Sequence, residues 1–294
     1  MKQLLILSGK GGTGKTTIAS AFIRLSQAKA YGDCDVDAPN LHLVMGQSLI
    51  PQIKDYYGMP KAEVNTELCI QCGQCIKNCR FNAISVDIDY KVDAFACEGC
   101  GVCEAICPVS AVSLKPAVSG ELMLYANTDI VFSTAQLKMG SGTSGMLVTE
   151  VKKQMKLASK NVELAIIDGS PGIGCPVIAS LSGVDWVLIV AEPSISGIND
   201  MERIIKTAET FHTKTVVCIN KYDTNLDNTN RIESFCKVNN LPFAGRIPFD
   251  SNAVKAINNG QTIVDINCPS GKATREVYYK TMDLIFEESR RVGL

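Results

Sequence analysis

The run Ser8-Gly9-Lys10-Gly11-Gly12-Thr13-Gly14-Lys15-Thr16-Thr17 follows a short apolar segment, Leu4 to Leu7, and precedes a helix-like stretch from Thr17 to Ser26. A strand, a glycine-rich loop and a helix start, in that order, leave few folds open. Gly9 to Thr16 fits G-x-x-x-x-G-K-[ST], whose glycines let successive backbone N–H groups curl around phosphate oxygens without obstruction. The helix N-terminus adds its own positive field. Lys15 is placed to reach the β and γ phosphates of a nucleoside triphosphate, and the Thr16 hydroxyl to ligate Mg²⁺. Gly11, Gly12, Thr13, Gly14, Lys15, Thr16 and Thr17 are therefore the expected phosphate-binding residues. A chance glycine turn is a poor account of eight matched positions in a strand-to-helix context.

Lys10, a second lysine inside the loop, departs from the ordinary pattern. With it, Lys10 to Thr16 reads K-G-G-x-x-G-K-[ST] and resembles the deviant Walker A ATPases: the MinD and ParA partition proteins, the Mrp-type cluster carriers and the nitrogenase iron protein. The resemblance implies ATP as nucleotide. It also implies that Lys10 crosses a two-fold interface to the partner's phosphates, giving a nucleotide-dependent homodimer.

Other segments match the same family position by position. Ala28 to Asp33 reads as a second strand leading into Asp33-Cys34-Asp35-Val36-Asp37-Ala38-Pro39-Asn40, which corresponds to the family's switch I. The resemblance gives Asp35 the role of orienting the attacking water and Asp33 that of supporting Mg²⁺ or its water shell. Asn40 falls near the nucleotide-sensing interface, and Asp37 fits an acidic turn. Lys10, Lys15 and Asp35 are thus the expected catalytic residues. Val162 to Ile167 reads as a buried parallel strand ending at Asp168, the Walker B position, with Gly169 to Gly172 as switch II. Trp186 to Ala191 and Thr215 to Ile219 read as further strands around a helix from Ile198 to Phe211. At their ends, Asn220, with Pro248 and Asp250, resembles the family's adenine-contacting positions.

The chain contains 13 cysteines, and eight of them lie in one window. Cys69, Cys72, Cys75 and Cys79 are followed 28 positions later by Cys97, Cys100, Cys103 and Cys107, and each half continues to Ala-x-Ser. This repeat is similar to a bacterial two-cluster ferredoxin of the C-x₂-C-x₂-C-x₃-C type. The resemblance implies crossed ligation: Cys69, Cys72, Cys75 and Cys107 for one [4Fe-4S] cluster, and Cys97, Cys100, Cys103 and Cys79 for the other. Three cysteines two residues apart wrap one face of a cubane, while the fourth points away. Arg80 stands where proline usually follows the fourth cysteine. A zinc ribbon would use pairs of C-x₂-C, not two interlocked quartets.

Cys175 lies seven residues after Asp168, where the nitrogenase iron protein keeps a cluster-bridging cysteine, but Ser141 stands near the place of the second. A buried thiol at a helix start is the expectation, with a transferable cluster as the sharper alternative. Cys34, Cys218, Cys236 and Cys268 lack ligand-like spacing, and His42 and His212 lack partner motifs, so all six are expected to be structural.

At 294 residues, 46% hydrophobic and 20% charged, the chain can bury one full α/β core and carry a small module. A formal net charge of -1 makes no electrostatic case for nucleic acid. Without a long apolar run or a signal pattern, a cytoplasmic protein with no stable membrane insertion is expected. Lys272 to Arg291 reads as a helix whose mixed charges, among them Glu276, Asp283, Glu287 and Glu288, suit packing on the core better than a membrane surface.

The expected fold is α/β, a mostly parallel, doubly wound P-loop NTPase sheet carrying an inserted α+β two-cluster ferredoxin module. The expected division is residues 1–58 and 118–294 for the ATPase and 59–117 for the insert. ATP hydrolysis coupled to electron transfer to, or maturation of, an unidentified redox or client protein is the expected activity. A cluster-assembly carrier and a nucleotide-binding redox sensor or scaffold are the alternatives.

Overall fold

The computed structural model describes the backbone of residues 1–292 and side chains through Glu287, so the side chains of Glu288 and Arg291 lie outside the described residues. The chain opens with β1 (Lys2–Leu7), turns through the glycine-rich loop into α1 (Lys15–Ser26), and returns as β2 (Ala30–Asp33) before one turn of helix, α2 (Leu41–Val44). Next, β3 (Gln52–Tyr57) leads out to a smaller body made of β4 (Lys61–Val64), α3 (Gln74–Asn78), β5 (Ile84–Val86), β6 (Tyr90–Val92), α4 (Val102–Ala105) and β7 (Val112–Lys115). The return runs through β8 (Val118–Ala126), β9 (Val131–Leu137), α5 (Ser144–Ala158), β10 (Leu164–Asp168), α6 (Cys175–Leu181) and β11 (Trp186–Ala191). It finishes with α7 (Ile195–Thr210), β12 (Lys214–Asn220), α8 (Leu226–Val238), β13 (Phe243–Ile247), α9 (Asn252–Asn258) and α10 (Pro269–Val292).

Among the described residues, nine strands form one sheet in the order β13-β12-β11-β1-β10-β2-β9-β8-β3. The first seven in that order are parallel, while β8 and β3 are antiparallel additions at one edge. Parallel strands covered on both faces must be apolar throughout, and Leu4 to Leu7 and Ile166 to Ile167 are fully buried. Alternation divides them. Leu4 and Ile6 pack with Ile18 and Phe22 of α1 and Val277 and Ile285 of α10, whereas Leu5 and Leu7 pack with Val148 and Val151 of α5 and Met201 and Ile204 of α7. Because β1 lies between β10 and β11, the loop after it opens at the carboxyl edge of the sheet, where such folds bind ligands.

The antiparallel strands β3 and β8 and the neighbouring parallel strand β9 were not among the elements expected from sequence, and α1 begins at Lys15, two residues before the expected Thr17. Gly14 takes φ 89° as the N-cap, a left-handed conformation that glycine adopts freely, and so allows the earlier start. In the smaller body β4 pairs with β7 and β5 with β6, both antiparallel, around a separate core that includes Ala62, Cys75, Ile84, Cys97 and Val112.

Candidate functional site

The expected phosphate-loop residues meet the two acidic strand ends at the carboxyl edge. Lys15, nearly buried, places Nζ 2.5 Å from Oδ1 of the fully buried Asp168. The Thr16 hydroxyl donates to Asp168 Oδ2 at 2.6 Å. Burial disfavours the Lys15 ammonium, but Asp168, with smaller help from Asp33 and Asp35, outweighs it and raises the pKa above the ordinary value. The Thr13 hydroxyl is buried and finds no hydrogen-bond partner among the described residues, a donor left over for a ligand.

Asp33 is paired with Asp168 in the β2–β10 register, so two carboxylates stand side by side at neighbouring strand ends. Burial and the Asp168 charge push the Asp33 carboxyl up to about 7, although backbone N–H groups and Lys15 oppose this. Its oxygens are already engaged: Oδ1 accepts from the Asp35 amide, and Oδ2 from the amides of Asn40 and Leu41. Asp33 therefore pins switch I and α2 in place. Asp35 is half-buried, its carboxyl raised chiefly by burial and further by Asp168 and Asp37 against the pull of Lys15. A cavity of about 630 Å³ brings Asp35, Asp37 and Asn40 together with the phosphate loop, Ser170 and Pro171.

The segments expected as switch I and switch II are tied to the loop and to each other. The Gly172 amide donates to Ser8 O at 3.0 Å, the Cys34 amide to Asp168 O at 2.8 Å, and the Ser170 hydroxyl to Cys34 O. On the other side, a second cavity of about 200 Å³ is lined by Gly12, Gly14, Asn220, Pro248 and Asp250, and also by Phe249 and Val254. Asn220 Nδ2 donates to Thr13 O at 2.6 Å, and a Cβ on Gly14 would come within 2.3 Å of that nitrogen. Asp250 accepts from the Asn252 amide and from the amide and hydroxyl of Ser270, bonds that outweigh a desolvation cost and hold it below the usual carboxylate range. It thus shapes the pocket wall.

Lys221, Glu192 and Phe249 belong to the site but were not among the expected site residues. Lys221 Nζ donates to Gly12 O at 2.7 Å, and Glu192 follows β11 as Asp168 ends β10, an acid at the close of a buried strand. That signal was available. Lys10 points back into its own chain, with Nζ 2.6 Å from Glu192 Oε2.

In the smaller body, Gly73 and Gly101 adopt φ 75° and 77° directly before α3 and α4, turning each cysteine motif into a short helix. Cys79, Cys97, Cys100 and Cys103 line one small cavity, with Ala62, Phe81, Glu98 and Leu114 around them. Cys97 Sγ accepts from the Ala62 amide and Cys107 Sγ from the Ala111 amide. Cys75 has Cys69 and Cys72 as electrostatic neighbours. Among the described residues, no group of three or more His, Cys, Asp or Glu side chains converges so as to hold a single metal ion.

Cys175 begins α6 but is exposed, correcting the expectation of a buried thiol. The helix turns Val177, Ser180 and Leu181 inward, and Cys175 falls on the opposite face. Cys34, Cys218, Cys236 and Cys268 are buried. His42 is held below its ordinary pKa by burial. No helix among the described residues is long and apolar enough to cross a membrane.

A parallel sheet with a lysine-bearing glycine loop at its centre and acids at the adjacent strand ends defines a P-loop nucleotide-binding protein. Residues 4–263 match the model of the CobQ/CobB/MinD/ParA nucleotide binding domain, and the chain belongs to that family as an ATP-binding protein. An uncharacterised protein of Methanocaldococcus jannaschii is 34% identical over 96% of this chain and 97% of its own length. The septum site-determining protein MinD of Pyrococcus horikoshii, solved with Mg-ADP, superposes with a TM-score of 0.58 at 16% identity, over 97% of each chain. YccM of Escherichia coli, a proposed electron transport protein, is 38% identical over 93 residues, 28% of this chain and 26% of that one.

Proposed function

We propose that this chain is an ATPase carrying two [4Fe-4S] clusters in a ferredoxin-like module, residues 59–117, and coupling hydrolysis to electron transfer to, or maturation of, a partner protein. The observation that carries the reading is the cavity lined by Cys79, Cys97, Cys100 and Cys103, three thiols from one half of the repeat and one from the other. A cubane spreads its ligands over four irons, so its thiolates surround a body and need not converge on a point as ligands of one ion do. Cys69, Cys72, Cys75 and Cys107 form the second quartet. The clusters supply one-electron chemistry when bound, and at Cys107 burial is outweighed by backbone N–H groups, that of Ala111 among them, which hold the thiol below its ordinary pKa.

In the ATPase, Lys15 gives up Asp168 to meet the β and γ phosphates. Thr16 and Asp168 would then hold Mg²⁺, because their oxygens already face one place and are hard donors, and the metal would neutralise phosphate charge. Asp33 keeps switch I in position for this, and Asp35 orients the attacking water. Asn220 and Pro248 flank the adenine, while Asp250 holds the loop. Dimerisation on ATP proceeds through Lys10 and the nucleotide face.

The coupling route is short. The Leu137 amide donates to Val36 O at 2.8 Å and Gln136 Nε2 to Asp37 O at 3.3 Å, which ties the end of β9 to switch I. The loop after β9 meets the cysteine-rich body, where a Cβ on Gly140 would lie 3.0 Å from Phe95 and one on Gly142 3.6 Å from Glu98. Redox titration of wild type and Asp35→Ala, with and without Mg-ATP, tests the proposal, since the variant should bind ATP without turning it over. A coupling of about 1.4 kcal/mol would shift a one-electron potential by roughly 60 mV. Potentials and cluster spectra indifferent to nucleotide would refute it. The exposure of Cys175 beside switch II favours a second reading, a cluster carrier, which would show transfer of iron and sulfide to an apo-ferredoxin.

A further inference from the structure

The two halves of the cysteine repeat meet different surroundings. The half from Cys97 to Cys103 is clamped against the ATPase on two sides. On one side is the connection from β3 to β4: Gly99 packs so closely on Pro60 O that a Cβ would collide with it, and Lys61 Nζ donates to Cys97 O at 2.5 Å. On the other is the loop after β9, with Gly140 against Phe95 and Gly142 against Glu98. Phe95 sits in a turn fixed by Asp93, whose Oδ1 accepts from the Phe95 amide at 2.8 Å and whose carbonyl accepts from the Cys97 amide at 2.9 Å. A shift at either side therefore reaches Cys97 within two residues.

Both sides of the clamp are built on the strand ends next to switch I. Beyond the Leu137 amide, which donates to Val36 O, the Lys138 amide donates to Ser119 O at 2.9 Å and the Ser141 amide to Lys138 O at 3.1 Å, so the loop turns directly off β9. Gly58, which starts the connection, is wedged between Ser119 and Thr143: a Cβ there would lie 2.7 Å from each hydroxyl. The other half of the repeat faces outward. Leu68 and Ile70, on either side of Cys69, are 53% and 61% exposed, and Ile106, beside Cys107, is also exposed.

We infer that the two clusters are not equivalent: the one held by Cys97, Cys100, Cys103 and Cys79 responds to nucleotide, with Phe95 and Glu98 as positioning residues, and the one held by Cys69, Cys72, Cys75 and Cys107 does not. Each quartet takes three of its four ligands from its own half, so the surroundings of that half dominate. Resting on the proposed clusters and their coupling to ATP, this asymmetry has a measurable form. Nucleotide should change the reduction equilibrium of one cluster about tenfold, about 59 mV for a one-electron couple, and that of the other less than about twofold.

The experiment is redox titration, followed by electron paramagnetic resonance, of the anaerobically purified full chain with and without Mg²⁺ and a non-hydrolysable ATP analogue. Wild type is compared with Phe95→Ala/Glu98→Ala and with Leu68→Ser/Ile70→Ser, each checked for iron content. One potential should move in wild type and in Leu68→Ser/Ile70→Ser, and neither in Phe95→Ala/Glu98→Ala. Hydrogen exchange of the loaded wild type, read by mass spectrometry, needs no variant and decides the matter even where a variant loses iron: nucleotide should change exchange in residues 94–103 and leave residues 66–78 as they were. Equal movement of both potentials, a shift that survives in an iron-replete Phe95→Ala/Glu98→Ala, or a response in residues 66–78 overturns this inference alone. Potentials and exchange in residues 94–103 that both ignore nucleotide in wild type overturn the coupling on which it rests.

Discussion

Asp168→Asn isolates the resting-state ion pair of the phosphate loop. The substitution leaves Lys15, whose side chain is 6% exposed, without the carboxylate that lies 2.5 Å away, and removing one partner of a buried pair costs about 3–5 kcal/mol. Asp33 brings the cost towards the lower end. It stands across from Asp168 on the neighbouring strand and is raised partly by that charge, so it ionises more readily once the charge is gone and supplies some compensation to Lys15. A loss of about 3 kcal/mol is expected, equivalent to a fall in Tm of roughly 6–12 °C for a chain of this size. Calorimetry of the nucleotide-free protein at neutral pH measures it. The companion Lys15→Met/Asp168→Asn removes both charges and should recover most of the loss, since no buried charge is then left without its partner. A Tm for Asp168→Asn within about 2 °C of wild type, or a double variant less stable than the single one, would refute the argument.

Three further outcomes are expected. The folded protein holds on Asp33 a proton that the unfolded chain releases at the ordinary value of 3.8, so stability falls as pH rises from there to about 7 and levels off above; Asp33→Asn should flatten that slope in pH-resolved urea titrations. Anaerobically purified protein should carry about eight irons per chain, with Cys79→Ser and Cys100→Ser both abolishing one and the same cluster signal by electron paramagnetic resonance and Cys72→Ser the other; loss of the same signal in Cys79→Ser and Cys72→Ser would dismiss the crossed ligation. Gly14→Ala introduces a side chain at φ 89° and 2.3 Å from Asn220 Nδ2, and calorimetric titration should find ATP affinity reduced more than about tenfold.

The sequence was most readable where one local rule was sufficient. The phosphate loop is a contiguous string, and Asp168 closes an apolar run too continuous for a half-exposed strand. Trp186–Ala191 has the bounds expected of it because all six residues are buried. The edge strands were harder. In β3 every residue but Tyr56 is exposed, so the strand has no continuous apolar run to announce it. Cys175 was misjudged because its burial depends on which way α6 faces, a property of packing and not of spacing. Glu192 and Lys10 are 182 positions apart, and no periodicity reports a contact at that distance. Asp33 illustrates a subtler limit: its place beside the phosphate loop was legible, but two of the three amides that occupy its oxygens, those of Asn40 and Leu41, arise from the path of the chain into α2.

The cysteine-rich body hangs from a hairpin. Tyr57 and Val118, where the chain departs and returns, are paired partners in the antiparallel ladder of β3 and β8. Nothing between them threads the parallel sheet, so the ATPase strands can assemble before or after the insert folds. Lengthening such a tip is inexpensive, about 0.6 kcal/mol for each doubling of loop length. The hairpin is thus an exchangeable socket: a chain of this kind could trade one inserted cassette for another, or close the tip with a tight turn, without altering a residue of the phosphate loop.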